Sequence, residues 1–311
     1  MKAIQITHYG DNRMVKMNIN ALNPVPSDEQ VLIRMHAAGL NPIDWKIREG
    51  YLQSKYPLAF PLTLGMDFSG TIVEIGKNVK NFQIGDEVYG MSNIFNGGTG
   101  TFADFFSVDA SFCAHKPSKL THTEAAVYPM AGISALQALT LHINQHEGGK
   151  ILIHGGAGGI GSFAIQIAKY FGLYVATTVS EKNRQFVEDL GADEMINYKV
   201  QKFEHLLHGY DYVLDTVGGL TYKKSFQVLK KGGIIVSFRE EADIELMKLH
   251  QVNAFIEFTD VNSTSLAKLS EFINKNIIHA HIDTIFAFEQ TPQAIQHLES
   301  GHPQGKVVIE N

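Results

Sequence analysis

Residues 154–161 read His-Gly-Gly-Ala-Gly-Gly-Ile-Gly, and within them Gly156, Gly158 and Gly161 keep the spacing G-x-G-x-x-G. The turn follows the apolar run 151–154 and opens a segment in which Ile160, Phe163, Ala164, Ile167, Ala168 and Phe171 recur at helical spacing. Glycines so placed let the chain turn tightly, let its backbone approach a pyrophosphate and let helix press on strand, while unpaired N–H groups at the helix start attract negative charge. The chemistry this implies is dinucleotide binding by Gly156, Gly158, Gly159, Ile160 and Gly161. Glycine-rich turns also serve packing alone; the strand before and the helix after give this one its meaning.

Which dinucleotide binds depends on the end of the next strand, where NAD-binding folds place an Asp or Glu about twenty residues past the glycines to hold the ribose 2′-hydroxyl. Here that strand ends Ala-Thr-Thr-Val-Ser at Ser180, with no carboxylate before Glu181, and Lys182 and Arg184 follow at once. Ser180 with Lys182 or Arg184 therefore forms a candidate site for a 2′-phosphate, pointing to NADPH, and Thr178 is counted with the cofactor-binding residues. The competing reading makes both cations the solvated start of a helix.

The elements that must carry these residues fall into two styles. Up to about residue 117 the chain reads as short strands broken by turns, with Val31, Ile33 and Met35 alternating along one of them. After residue 122, apolar runs at 151–154, 173–178, 194–198, 210–215, 233–238 and 254–259 alternate with helical segments, which predicts an α/β, doubly wound parallel sheet. Val217 and Gly218, Ser237 and Phe238, Tyr198 and Phe258 follow the carboxyl ends of those runs, where such sheets bind ligands. The last stretch, with a strand, a helix near 292–299 and a strand at 306–310, falls outside the alternation and is assigned to the first domain. The expected division is 1–122 with 279–311, and 123–278.

Composition narrows the function classes. At 311 residues with 44% hydrophobic and 19% charged side chains, the chain is long enough for two packed domains. A net charge of −6 and a pI near 6.1 give no basic field for nucleic acid. A mean hydropathy of −0.05 leaves no excess for a membrane. Met1 opens into a strand-like run without signal or transit character, so the cytoplasm is the expected address. Cys113 is the single cysteine, read as a buried bystander, and fourteen histidines, His115, His122, His142, His146 and His154 among them, show no HExxH or comparable pairing, so no metal is expected.

The segments Ala38-Gly39-Leu40-Asn41-Pro42-Ile43-Asp44-Trp45-Lys46, Leu64-Gly65-Met66-Asp67-Phe68-Ser69-Gly70, Gly85-Asp86-Glu87-Val88-Tyr89-Gly90, the glycine turn, and Gly301-His302-Pro303-Gln304-Gly305-Lys306-Val307-Val308 together resemble the quinone oxidoreductase branch of the medium-chain dehydrogenase/reductase family. The resemblance runs nearly end to end. It implies a GroES-like β-rich catalytic domain, a Rossmann-type cofactor domain, an active-site cleft between them, and a homodimer joined through the cofactor domains.

Zinc-dependent alcohol dehydrogenases of the same family carry a catalytic Cys where this chain has Asn41 and a His-Glu pair where it has Met66-Asp67. The four-cysteine structural lobe has no counterpart either, so the reaction expected is zinc-free. Hydride then goes from NADPH to an acceptor already electron-poor, a quinone or an enone.

By resemblance Asn41 lies near the nicotinamide ribose or the substrate, although an Asn ahead of Pro42 also shapes turns. Tyr51, and less closely Tyr56, borders the substrate pocket in relatives, where its hydroxyl can donate to a carbonyl oxygen; a packing role competes. Ser134 matches a hydroxyl position near the nicotinamide phosphate, or else bonds its own helix backbone. Tyr198 falls where relatives lay an aromatic near the adenosine, and Phe258 lines the nicotinamide side or the sheet core. The stretch 239–250 is shorter and more acidic than in longer relatives. An alkenal or enone double-bond reductase is the alternative enzyme, and an NADPH-sensing or scaffolding protein the alternative of another class. A serine hydrolase is set aside because no G-x-S-x-G elbow occurs.

Overall fold

The computed structural model describes residues 1–143, 148–301 and 303–311; His146 and His302 lie outside the described residues. The chain divides into two compact units, one of residues 1–130, 261–274 and 280–311, the other of 131–260 and 275–279. No described helix is long and apolar enough to cross a membrane.

In the first unit, β1 (Ala3–Ile6), β2 (Lys16–Asn18), β3 (Gln30–Gly39), β4 (Leu62–Thr63), β5 (Asp67–Ile75), β6 (Glu87–Met91), β7 (Phe105–Asp109) and β8 (Cys113–His115) come first along the chain, with helix α1 (Pro42–Glu49) after β3. Helices α2 (His122–Ala125) and α3 (Pro129–Gln137) lead on to the second unit. Its strands are β9 (Lys150–His154), β10 (Tyr174–Val179), β11 (Glu194–Asn197), β12 (Tyr210–Asp215), β13 (Leu229–Ser237) and β14 (Asn253–Ile256). The intervening helices are α4 (Gly159–Tyr170), α5 (Arg184–Asp189), α6 (Phe203–Leu206), α7 (Leu220–Ser225) and α8 (Ile244–His250). Helix α9 (Ser263–Asn274), β15 (Ile282–Ala287), α10 (Thr291–Glu299) and β16 (Lys306–Glu310) belong to the first unit.

The first unit is the GroES-like, β-rich one. Seven strands form one sheet in the order β15-β16-β3-β5-β6-β8, with β7 also on β3, and β2-β1-β4 form a second. In β3 the predicted alternation holds: Val31, Ile33 and Met35 are buried, as expected of strands with one face on a core. Its last residues, Ala37, Ala38 and Gly39, are buried on both faces. They pair with β16 in the register Val308↔Gly39 and Ile309↔Ala38, and a side chain at Gly39 would meet the Ala126 carbonyl at 2.3 Å.

The second unit is Rossmann-like. Its six strands are all parallel in the order β11-β10-β9-β12-β13-β14, and each sequence-predicted run falls on one of them. The runs are apolar without alternation because a parallel sheet is covered on both faces. Helix α4 is buried almost all round, beyond the single stripe its spacing predicts, and Gln166 within it spends its amide on Ser162 and on the His279 backbone.

Candidate active and cofactor-binding site

The strand order reverses between β9 and β12, and the register aligns the carboxyl ends: Thr178↔His154, Asp215↔Ser237, Ser237↔Ile256 and Asn197↔Val179. A crevice for a ligand forms where connections leave in opposite directions. The glycine turn sits at that point, between β9 and α4, with Gly158 as the residue before the first helical turn. A Cβ at Gly156 would lie 2.1 Å from Thr177 Oγ1, and one at Gly161 would lie 2.3 Å from the Gly155 carbonyl. At Gly158 the nearest atom stands 3.4 Å away, so a side chain there would fill the space in front of the turn rather than strike the protein. That open cradle at a twelve-residue helix's N-terminus fits a pyrophosphate.

A hydrogen-bonded chain that sequence reasoning missed fixes the entry to the turn. Ser225 Oγ donates to the Thr221 carbonyl at 2.7 Å, so it must accept from His154 Nε2 at 2.8 Å. His154 Nδ1 then accepts from Thr178 Oγ1 at 3.1 Å, and that hydroxyl in turn accepts from Gly155 N at 3.1 Å. His154 is buried, and burial pushes its imidazole down to about 3, so the ring stays neutral. Thr178 accordingly serves the turn itself.

Ser180, buried at the end of β10, leads into the short turn that holds Lys182; Lys182 and Arg184 are exposed, and Arg184 donates to the Met195 carbonyl at 3.4 Å. Glu181 receives the Asn197 amide at 3.2 Å. Tyr198, Val217 and Phe258 are exposed at 58%, 48% and 68%. Ser237 is fully buried, and Asp215 explains why. Asp215 Oδ2 accepts from the Ser237 hydroxyl, while Oδ1 accepts from Val217 N at 3.0 Å and Gly218 N at 2.9 Å. Ser237 Oγ also receives Arg239 N and Glu240 N. Asp215 thus shapes the loops that present Val217, Gly218 and Phe238; sequence reasoning missed it, its strand-end position being the one signal that could have found it. Ser134 is buried and shares a 2.6 Å hydrogen bond with Thr259 Oγ1.

In the first unit Asn41 lies two residues past the end of β3, as the N-cap of α1 ahead of its first residue, Pro42. Leu40 N reaches the Val307 carbonyl, which sets Asn41 beside Lys306 of β16. Lys306 Nζ donates to Asn41 Oδ1 at 2.5 Å and to the Leu40 carbonyl at 2.8 Å, and lies 3.9 Å from Asp67 Oδ2. Asn41 Nδ2 donates to Asp67 Oδ2 at 2.8 Å, and Asn41 N to Asp44 Oδ2 at 2.7 Å. All four residues are buried.

The two carboxyls differ in their donors. Asp67 also faces Met130 N at 3.2 Å, whereas Asp44 Oδ1 has no partner among the described residues. Burial pushes Asp44 up to about 7, the Asn41 N–H pulling it back and the Asp67 charge adding to it. Burial pushes Asp67 up to about 6 against the pull of Lys306, Asn41 and Met130. Burial lowers Lys306, with Asp67 and Asp44 opposing.

Tyr51 is 67% exposed, its ring edge-on to Trp45 with the ring centroids 5.9 Å apart, and the Tyr56 and Phe95 ring centroids lie 4.9 Å apart.

The alcohol dehydrogenase GroES-like domain family matches residues 27–118, and the zinc-binding dehydrogenase family matches residues 190–309. The chain is 32% identical to the NAD(P)H oxidoreductase RTN4IP1, mitochondrial, of Danio rerio, over 99% of this chain and 91% of that protein. It is 35% identical to the 2-methylene-furan-3-one reductase of Solanum lycopersicum, over 99% and 79%. The solved quinone oxidoreductase of Coxiella burnetii superposes with a TM-score of 0.91 at 35% identity, covering 100% of this chain and 99% of that one. The chain belongs to the medium-chain dehydrogenase/reductase superfamily, in its quinone oxidoreductase-like branch. It is an NAD(P)H-dependent oxidoreductase of the quinone oxidoreductase and enone reductase kind.

One family name carries zinc, but the residues here do not fit it. Asn41 and Met66 are an amide and a thioether, Asp67 is paired with a resident ammonium, and among the described residues no three His, Cys, Asp or Glu gather as a metal set.

Proposed function

We propose that the protein uses NADPH to reduce a quinone or a related electron-poor carbonyl compound, without a metal. The observation that carries this is the end of β10, where no carboxylate precedes Glu181 and the exposed cations Lys182 and Arg184 follow Ser180. A 2′-phosphate finds a hydroxyl and two cations there, and no acid within the strand end itself to repel it. Residues 123–278 serve as the dinucleotide domain; 1–122 and 279–311 serve as the substrate domain. Bound NADPH supplies the hydride. The turn at Gly156–Gly161 holds its pyrophosphate, and Thr178, Tyr198, Val217, Gly218, Ser237, Phe238, Phe258 and Ser134 shape or line its bed. Asn41, through its amide, and Tyr51, through its hydroxyl, are the donors to the acceptor's oxygen.

Enone reduction is the second reading, favoured by the 35% identity to the furanone reductase of Solanum lycopersicum. The exposed edge strand β14, with Phe255 and Phe258 on or beside it, supports a homodimer through the second unit.

The test is NADPH and NADH oxidation by the purified protein, side by side, against a panel of quinones and enones with a chelator present. Chelator-resistant turnover favouring NADPH supports the reading, and the best acceptor ranks its two forms. Lys182→Ala/Arg184→Ala should raise KM for NADPH far more than for NADH; equal effects would sink the 2′-phosphate site. NADPH binding that no acceptor discharges points instead to a sensing protein.

A further inference from the structure

Lys306 has no place in the reading above, yet burying an ammonium is costly. The residue is only 4% exposed, and a pair of buried charges is commonly matched or bettered in stability by apolar residues of similar volume. What the ammonium does is specific. It can only donate, so the oxygen of the Asn41 amide must face it, and the amide nitrogen must face the carboxylate of Asp67. The flip of Asn41 is therefore fixed by chemistry at both ends. Of the two hydrogens on Nδ2, one is spent on Asp67; the second has no partner among the described residues. Donation into Oδ1 by a cation also draws electron density from the amide and strengthens its N–H as a donor.

We propose that Lys306 is a positioning residue for the reduction: by holding and polarising the Asn41 amide, it reserves the second Nδ2 hydrogen for the oxygen of a quinone or enone as that oxygen gains negative charge. Asp67 is the other half of the clamp. The proposal rests on the reductase reading, in which Asn41 is a donor to the acceptor.

Three proteins test it: Lys306→Met/Asp67→Asn, which removes both charges together and leaves no orphaned ion to unfold the unit; Asn41→Ala; and the triple variant. Thermal melts establish that each is folded. With 1,4-benzoquinone as acceptor, the charge-balanced double variant should lose about 10- to 100-fold in kcat, less than the roughly 100- to 1000-fold of an oxyanion donor removed outright because the amide is misplaced rather than lost, with KM for NADPH within about twofold. The triple variant should be no slower than Asn41→Ala, because Lys306 acts through Asn41. An undiminished kcat in the double variant, or losses that multiply in the triple, would overturn the proposal.

A second readout does not depend on turnover. Binding of 4-nitrophenolate, a planar ring with a localised oxyanion, is followed by its absorbance with NADP⁺ present. It should weaken about tenfold or more in the double variant. Equal binding by the wild-type and double-variant proteins refutes the clamp even if no acceptor is ever turned over, whereas absent turnover with weakened binding refutes the reductase reading alone.

Discussion

Two buried carboxyls, Asp67 at 3.9 Å from the Lys306 ammonium and Asp44 joined to Asp67 through Asn41, should respond in opposite ways to the same isosteric change. Asp67 collects donors from Asn41 and Met130 and faces Lys306; Asp44 collects one backbone N–H and leaves Oδ1 unpartnered among the described residues. The charge therefore belongs on Asp67 and the proton on Asp44. Moving Asp44 from 3.8 to about 7 corresponds to roughly 4 kcal/mol at about 1.36 kcal/mol per unit.

The sign follows from burial. A carboxyl raised on folding binds more protons in the native state, so its neutral form carries no penalty below about pH 4, and stability is lost as pH climbs towards 7. Asp44→Asn keeps the shape and the acceptor for Asn41 N and cannot ionise. It should cost no more than about 1 kcal/mol at pH 5 and become the more stable protein by about 2–3 kcal/mol at pH 8. Asp67→Asn instead strands the ammonium, at about 3–5 kcal/mol, or roughly 10 °C in melting temperature. Melting each variant between pH 5 and 8 decides the matter. An Asp44→Asn protein weaker by more than about 3 kcal/mol across that range would show that the anion of Asp44 is needed, and the assignment would fall.

Gly161→Ala drives a methyl to 2.3 Å from the Gly155 carbonyl, so the turn must open; NADPH affinity, read by quenching of the protein's fluorescence, should fall at least tenfold while the melting temperature drops only a few degrees. His154→Phe leaves the hydroxyls of Thr178 and Ser225 without the ring that joins them, at about 2–4 kcal/mol, seen as a lower denaturant midpoint with unchanged slope. Asp215→Ala frees two loop N–H groups and the Ser237 hydroxyl, which should cost about 2–4 kcal/mol and raise amide exchange at Val217 and Gly218.

The parallel sheet was legible because strands buried on both faces leave unbroken apolar runs, and each of β9 to β14 lies on one. The glycine turn was legible because steric need restricts it to one residue type. Polar residues buried at strand ends were not. His154 and Asp215 read as ordinary loop-edge residues until the fold brings Ser225 and Ser237 to them, at separations of 71 and 22 residues. Lys306 was harder still: a lysine at the start of a strand reads as solvent-facing, and only the pairing of β16 with β3 carries it to Asn41, 265 residues away in sequence. Ser237 shows the converse, a hydroxyl well placed by sequence whose hydrogen-bonding capacity Asp215 and the backbone have already taken.

Strand β16 fills the gap between β15 and β3, so the sheet of the first unit is closed by a segment translated after the whole of 131–260. A ribosome releases Asn41, Asp44 and Asp67 long before it makes Lys306. Until then the amide has no cation to orient it, Asp67 has no counter-charge, and β3 keeps a bare edge beside Gly39. The Rossmann-like unit is complete once residue 279 is made and can mature during synthesis, while the unit that holds Asn41 must wait for its closing strand. Nascent chains arrested before residue 306 should therefore display a protected second unit and a protease-sensitive first one.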